Sequence, residues 1–325
     1  MNDDRMSTLL HDAVETIEPT DRLGAIREQT RRPSRTRWYV AGGAVLAAAA
    51  VVTGIALAVQ PSSDPGPSPS TQPTASDSGS PGTHAVATYY VGDSPAGDRL
   101  FREFHQTKSS DTLASALRAL TAGPLDPDYR TAWPDAAFRG GWIDYEGGLA
   151  TVLLNDRSLH DRPAGMTAAQ ARLAIQQVVY TVQAAAQQRI PVRFEVEGQP
   201  IDQVYGLPTS EPLTNAPELD VLALVSISNP IEGRTVEGSF SADGVASSFE
   251  GSVPWRLLDP AGEVVLNGMG QGSMMEDHLT PWETGPIDVS GLPPGTYTFA
   301  ASTDDPTGGT EGPGPTTDTR TVVIR

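Results

Sequence analysis

The chain has 325 residues, with 40 acidic and 22 basic side chains, a net charge of −18 and no cysteine. The lack of cysteine excludes disulfides, thiolate nucleophiles, cysteine-based metal sites and a lipid-modified N-terminal cysteine. After position 83, 15 basic residues face 31 acidic ones. Such a surface repels phosphate backbones, so we expect no nucleic-acid partner.

The N-terminal part of the chain predicts a single membrane span. Residues 1–37 are neutral overall and are expected to form a cytoplasmic tail, whereas residues 38–59 contain no charged side chain. Twenty-two helical residues cover about 33 Å, enough to cross a bilayer. Arginines crowd the entry to this span and no basic residue follows it until Arg99. This asymmetry places the C-terminal domains outside the cell membrane. A cleaved signal peptide, ending at Ala56–Ala58, is the alternative.

A spacer is expected to follow the span. In residues 60–83, 19 of 24 side chains are Pro, Ser, Thr or Gly. A segment of this composition cannot bury a core and remains extended. We therefore interpret it as a linker that holds the folded part away from the membrane.

Residues 84–206 combine strand-like and helical patterns. HAVATYYVG and LFREF are rich in β-branched and aromatic residues, as in strands. Asp111 is the expected N-cap of a helix ending at Gly123, and Thr167 is the N-cap of a longer one. GGWIDYEGGLATVLLND predicts a hairpin with its bend at Gly147–Gly148, and PVRFEVEG predicts a closing strand. We expect an α+β domain with two helices on a small sheet.

Four stretches of this segment carry a family resemblance: LRALTAGPLDPDYRTAWP, GGLATVLLND, QQVVYTVQAAA and PVRFEVEGQPIDQVYG. In this order and spacing they resemble the GerMN domain, which is known from spore-germination proteins and from envelope proteins of actinobacteria. The resemblance covers nearly the whole segment. It implies an extracytoplasmic fold without established catalytic residues.

Residues 219–325 lose helical periodicity. About seven short strand-like runs, separated by turn residues, predict an all-β sandwich of immunoglobulin type. In SVPWRLLD the apolar residues alternate, so we expect Trp255 between the sheets. Phe249 is expected to anchor the preceding strand. GMGQG, at 268–272, is interpreted as a flexible turn rather than a phosphate loop, since no helix follows it.

The same segment is similar to the immunoglobulin-like domain of bacterial spore germination, which often follows GerMN in one chain. The resemblance is carried by ISNPIEG, by the Phe-Glu-Gly run at 249–251 and by WRLLD. It implies binding or scaffolding outside the membrane. The long acidic TDDPTGGTEGPGPTTDTR departs from the compact loop with which family members often end.

One loop is the best candidate for a recognition site. MMEDHLTPW gathers Glu276, Asp277, His278 and Trp282, and both loops and Trp side chains are common in binding surfaces. A metal here is disfavoured, because adjacent residues seldom complete a coordination shell. We predict no cofactor, metal or catalytic residue in the chain.

Weaker candidates have simpler interpretations as solvated loops or core packing. The sequence also lacks Gly-x-Ser-x-Gly and His-Glu-x-x-His motifs. These candidates are a catalytic Glu250, a weak calcium site formed by Asp304, Asp305 and Asp318, and a sugar-binding surface formed by Trp133, Trp142, Tyr89 and Tyr90.

The sequence therefore predicts a non-enzymatic, single-pass, membrane-anchored binding or scaffold protein of the bacterial cell envelope. Its partner would be an envelope protein or a cell-wall component. The alternative is a transmembrane regulator, faintly resembling anti-sigma factors, in which amphipathic residues 7–29 bind a cytoplasmic transcription factor. A third interpretation, an envelope hydrolase, requires a cleft with coupled carboxylates or a Ser/His pair.

Overall fold

The computed structural model describes residues 82–305, 310 and 313–325. The predicted tail (1–37), the predicted membrane span (38–59) and nearly all of the predicted linker (60–83) lie outside the described residues. Within the described part of the chain, no helix is both long and apolar enough to cross a membrane.

A mixed α/β module comes first. Its helices are α1 (Thr112–Ala122) and α2 (Ala168–Ala186), and Arg157–Leu159 forms a 3-10 turn. Its strands are β1 (His84–Gly92), β2 (Arg99–Thr107), β3 (Tyr129–Arg130), β4 (Phe138–Asp144), β5 (Leu149–Leu154), β6 (Val192–Val196), β7 (Gln199–Pro200), β8 (Gln203–Val204) and β9 (Leu207–Pro208).

An almost entirely β module follows it. Its short helix is α3 (Glu218–Val221), and Phe249–Gly251 forms a 3-10 turn. Its strands are β10 (Val225–Asn229), β11 (Arg234–Val236), β12 (Ser239–Phe240), β13 (Asp243–Ala246), β14 (Ser252–Leu258), β15 (Val264–Gly272), β16 (Thr280–Glu283), β17 (Ile287–Asp288), β18 (Gly295–Ser302) and β19 (Thr317–Ile324).

Local capping explains where both long helices of the first module begin, as predicted. The Asp111 side chain accepts a hydrogen bond from the Ala114 N–H at 2.9 Å. Thr167 and Gln170 cap each other reciprocally at the start of α2. These bonds satisfy backbone N–H groups that have no partner within the helix.

The first module packs its helices against two separate sheets. One sheet has the strand order β2-β1-β3 and the other β4-β5-β6-β7. Strand β5 pairs antiparallel with β4, which confirms the predicted hairpin, and parallel with β6 after the α2 crossover. Val192, Phe194 and Val196 belong to the same apolar core as the buried face of α2, and the predicted closing strand is confirmed.

The second module is a sandwich made from one folded sheet. Eight strands run in the order β10-β13-β16-β15-β14-β18-β19-β11. Strand β15 pairs with β14 along most of its length and with β16 only through Gln271 and Gly272. This short corner lets the two halves of the sheet face each other across one apolar core.

The glycine run at 268–272 is a strand, not the flexible turn expected from the sequence. Its glycines make room for two tryptophans. Gly268 pairs with Trp255, whose ring packs across it, and a Cβ added at Gly270 would lie 2.9 Å from Cε3 of Trp282. Small residues here are therefore a packing requirement, which composition alone does not reveal.

Two other expectations for this module have different outcomes. Trp255 is half-buried and packs against the core through Phe299, in line with its expected place between the layers. Phe249 does not anchor a strand: it lies in a 3-10 turn and is 43% exposed. The turn lifts its side chain out of the sheet.

Trp282 is the largest fully buried side chain among the described residues, and we expect its truncation to be costly. Replacing a buried aromatic residue with alanine removes about 3–5 kcal/mol from the free energy of unfolding. We predict a loss of this size for Trp282→Ala in urea titrations. Val264→Ala, at a position that is 45% exposed, is the control and should change stability by less than about 0.5 kcal/mol. Equal stability of the two variants would contradict this packing role.

Candidate functional site

The two modules meet along β2 and β10. The Ala223 N–H donates to the Leu100 carbonyl at 2.9 Å. The Arg102 N–H donates to Ser226 Oγ at 3.0 Å, and Arg102 Nη2 donates to Ser228 Oγ at 2.6 Å. Both modules therefore supply polar partners to one shared, buried surface, which we call the joint.

Arg320 on β19 is the centre of the joint. Its guanidinium, 1% exposed, lies 2.7 Å from Asp126 Oδ2 of the first module and 3.0 Å from Asp318 Oδ1 of its own strand. It also donates to Tyr129 Oη at 2.8 Å, and that hydroxyl donates to Asp318. One cation thus joins carboxylates from two modules in a water-poor environment.

The same side chains complete the backbone hydrogen bonding of β10. The Ile227 N–H donates to Asp318 Oδ2 at 2.6 Å, and Arg320 Nη2 donates to the Ile227 carbonyl at 2.9 Å. Strands β10 and β19 are not paired in the sheet. Two side chains therefore replace a strand pairing at the seam of the sandwich, as buried backbone polar groups require.

Burial raises the proton affinity of the acids in the joint. Desolvation raises the pKa of Asp126 to about 6, although Arg320 acts in the opposite direction. The pKa of Asp318 is raised for the same reason, and that of Tyr129 lies well above its usual value. Since two carboxylates share one guanidinium, the cluster holds more buried acid than base.

Glu103 supports the joint from the adjoining strand β2. Its carboxylate accepts the N–H groups of Leu125 and Asp126 at 2.8 and 2.9 Å. Burial alone would raise the pKa of Glu103, but these bonds and the contact with His105 at 2.7 Å lower it. The turn that carries Asp126 is thereby held in place.

The predicted recognition loop is divided by the structure. Glu276, Asp277 and His278 lie on an exposed loop, with His278 Nδ1 3.0 Å from Asp277 Oδ1. This hydrogen bond raises the pKa of His278. Trp282 lies instead in β16 and is 2% exposed, so its side chain is part of the core and is not available on the loop surface. The register of β13 and β16 turns it inward.

The weaker candidates are dispersed. Trp133, Tyr89 and Tyr90 are buried, and Trp142 alone of the predicted sugar-binding set is exposed. Asp318 lies in the joint, which removes it from the suggested calcium site. Among the described residues, no group of three metal-ligating side chains is placed to hold a metal ion. Glu250 is exposed in the turn at 249–251.

The joint itself was missed by sequence reasoning, although a signal was present. In TDTRTVVI, Asp318 and Arg320 share the alternating positions of Val322 and Ile324, which are buried. Charged residues on the inward face of a strand are buried only when they are paired. That register could have indicated a buried ion pair, but not that its partners come from another module.

Family comparisons agree with this two-module architecture. Residues 87–202 match a family model described as "Sporulation and spore germination". Residues 224–310 match one described as "Immunoglobulin-like domain of bacterial spore germination". No curated protein matches the sequence.

Similarity to solved structures is limited. A structure of the tandem GerMN domains of the sporulation protein GerM from Bacillus subtilis is 16% identical, with a TM-score of 0.33. The match covers 44% of this chain and 49% of that one, so this chain spans about half of that structure. CopC from Methylosinus trichosporium OB3b is 11% identical over 31% of this chain and 92% of that one, with a TM-score of 0.21. Neither value supports an inference about ligands.

The described part of the chain thus combines a mixed α/β module with an immunoglobulin-like β module. The first is a GerMN-like domain and the second an immunoglobulin-like domain of the bacterial spore-germination type.

Removing the central cation of the joint should be strongly destabilising. We expect Arg320→Met to lower the free energy of unfolding by about 3–5 kcal/mol, because it leaves two buried carboxylates without their cation. Arg130→Met is the matched control. Arg130 is 47% exposed and pairs with Asp93 and Asp98, so its loss should cost less than about 1 kcal/mol. Urea titration measures both, and similar values would refute the role of the joint.

The raised pKa of Asp126 makes the folding stability depend on pH. The unfolded chain releases this proton near a pKa of about 3.9, whereas the folded chain holds it to about 6. The stabilisation that protonated Asp126 contributes to the folded state is therefore fully present below a pH of about 4 and is lost as the pH rises through about 6. We expect the stability of the wild type relative to Asp126→Asn to fall across this range. A flat difference in thermal unfolding between pH 4 and 7 would contradict it.

Proposed function

We propose that this protein is a non-enzymatic, single-pass membrane-anchored binding or scaffold protein of the bacterial cell envelope. Its two modules would be displayed outside the cell membrane, with the N-terminus in the cytoplasm, and would bind an envelope protein or a cell-wall component. The buried joint is the observation that carries the proposal. A fixed orientation of two modules suits a scaffold, because it presents partners with one preorganised surface.

The chemistry of the buried charges supports a structural role over a catalytic one. Asp126, Asp318 and Arg320 are each at most 2% exposed, so no substrate reaches them in this conformation. Their hydrogen bonds are directed at each other and at backbone groups. A catalytic carboxylate needs access to a reacting atom. The matched families are also not known as enzyme families.

Membrane attachment is supported by the sequence alone. The uncharged residues 38–59 are long enough for a span, and the arginines of residues 27–37 precede it. The linker at 60–83 would give the two modules reach into the envelope.

Photocrosslinking in intact cells tests the proposal. A photoreactive amino acid is placed in the full-length chain at Tyr145, which is 61% exposed, or at Met275, which is 58% exposed. We expect adducts with an envelope protein or cell-wall material at one position or both. The same label at the buried position Leu257 is the control and should give none.

Two results would reject this function. One is the absence of adducts at both exposed positions in cells that contain the folded protein. The other is protection of both modules from protease added to cells whose outer layers have been opened, since that would place them in the cytoplasm.

A further inference from the structure

Three large apolar side chains are exposed at one end of the immunoglobulin-like module. Phe249 is 43% exposed, Met274 71% and Met275 58%. Single exposed apolar residues are ordinary, but neighbouring ones mark interaction sites in soluble proteins. We call these three residues the methionine patch.

Backbone contacts bring together the two chain segments that carry the patch. Gly251 lies two residues after Phe249, and Gly272 lies two residues before Met274. The two glycines pack so closely that a Cβ added at Gly251 would lie 2.5 Å from the Gly272 carbonyl oxygen. Ser252 pairs with Gln271 in the sheet. The turn that carries Phe249 therefore runs alongside the segment that leads into Met274.

The rim of the methionine patch is acidic. Glu250 and the adjacent Glu276 and Asp277 are exposed, the last two side chains by 51% and 100%. Neither residues 246–252 nor residues 271–279 contain a Lys or Arg. A partner that covers the apolar centre therefore meets negative charge around it, and a basic partner gains from this arrangement.

The loop that carries both methionines is fastened at several points. The Leu279 N–H donates to Glu218 Oε2 at 2.9 Å, and Thr280 pairs with Ala246. Ser247 Oγ donates to the Glu276 carbonyl at 3.4 Å. Because these hydrogen bonds hold the ends of the loop in place, less conformational entropy is lost when the loop binds a partner.

We propose that the methionine patch binds a basic amphipathic segment of a partner protein. The flexible thioether side chains of Met274 and Met275 adapt to an apolar stripe, and the acidic rim pairs with Lys or Arg beside that stripe. This inference rests on the proposed binding function and specifies the chemical character of the partner. An anionic lipid surface fits less well, because the same carboxylates repel it.

The test uses the full chain in nanodiscs of zwitterionic lipid, with empty nanodiscs subtracted. The probe is a fluorescent 18-residue peptide of Leu and Lys, arranged to form an amphipathic helix. We expect micromolar binding by fluorescence anisotropy that weakens as salt is added. Met274→Ser with Met275→Ser should weaken binding about tenfold, and Glu276→Gln with Asp277→Asn should reduce its salt dependence.

Matched controls distinguish binding at the methionine patch from nonspecific binding of the peptide. Val264→Ser, at an apolar position on β15 that is 45% exposed, should leave peptide binding unchanged. The same peptide composition in scrambled order, and a Leu/Glu peptide with the same stripe, should bind at least about tenfold more weakly. Unchanged binding by the double Met variant, equal binding of the scrambled peptide, or stronger binding to anionic vesicles than to the peptide would each overturn the proposal.

The failure of this inference is distinguishable from that of the proposed function. If peptide binding fails while the Tyr145 label still gives envelope adducts, the scaffold function stands and the patch assignment is wrong. If adducts are absent at all exposed positions, the proposed function itself is wrong.

Discussion

The structure depends on one buried cation. Arg320 forms ion pairs with Asp126 from the first module and Asp318 from its own strand, and it donates to the Ile227 carbonyl. Each of these groups would be costly to bury alone, since an unpaired charge or carbonyl loses its hydration without compensation. The hydrogen bonds of Arg320 and Asp318 therefore belong both to the joint between the modules and to the seam of the sandwich.

The buried and the exposed ionisable groups of the described residues differ in role. Asp126, Asp318, Arg102 and Arg320 are buried at the joint, where they fix how the modules meet. Exposed acids such as Asp277 lie on loops, where water and salt screen their charge. They do not contribute to the packing of the core. The ion pairs buried in the joint are therefore structural, whereas the charges accessible to a partner lie on exposed loops.

Local sequence signals predicted the first module well because they act within a few residues. Asp111 and Thr167 cap helices by accepting a hydrogen bond from the N–H group three residues further along the chain, and the apolar residues of β6 lie at every second position because one face of the strand meets a helix. The second module was harder. The glycines at 268–272 appeared turn-like because their contacts with Trp255 and Trp282 are made across the sheet, and Trp282 appeared loop-like because the pairing of β13 with β16 turns it inward.

The amino-acid sequence is sufficient to predict the absence of cysteine chemistry, the excess of acidic residues, the order of a mixed module and a β module, and the first residues of both long helices. All of these follow from composition or from contacts between near neighbours. Tertiary structure decided the joint, the burial of Trp282 and the grouping of Phe249 with Met274. The interactions concerned link positions far apart in the chain, 194 residues for Asp126 and Arg320, and no local pattern records which distant side chain completes a pair.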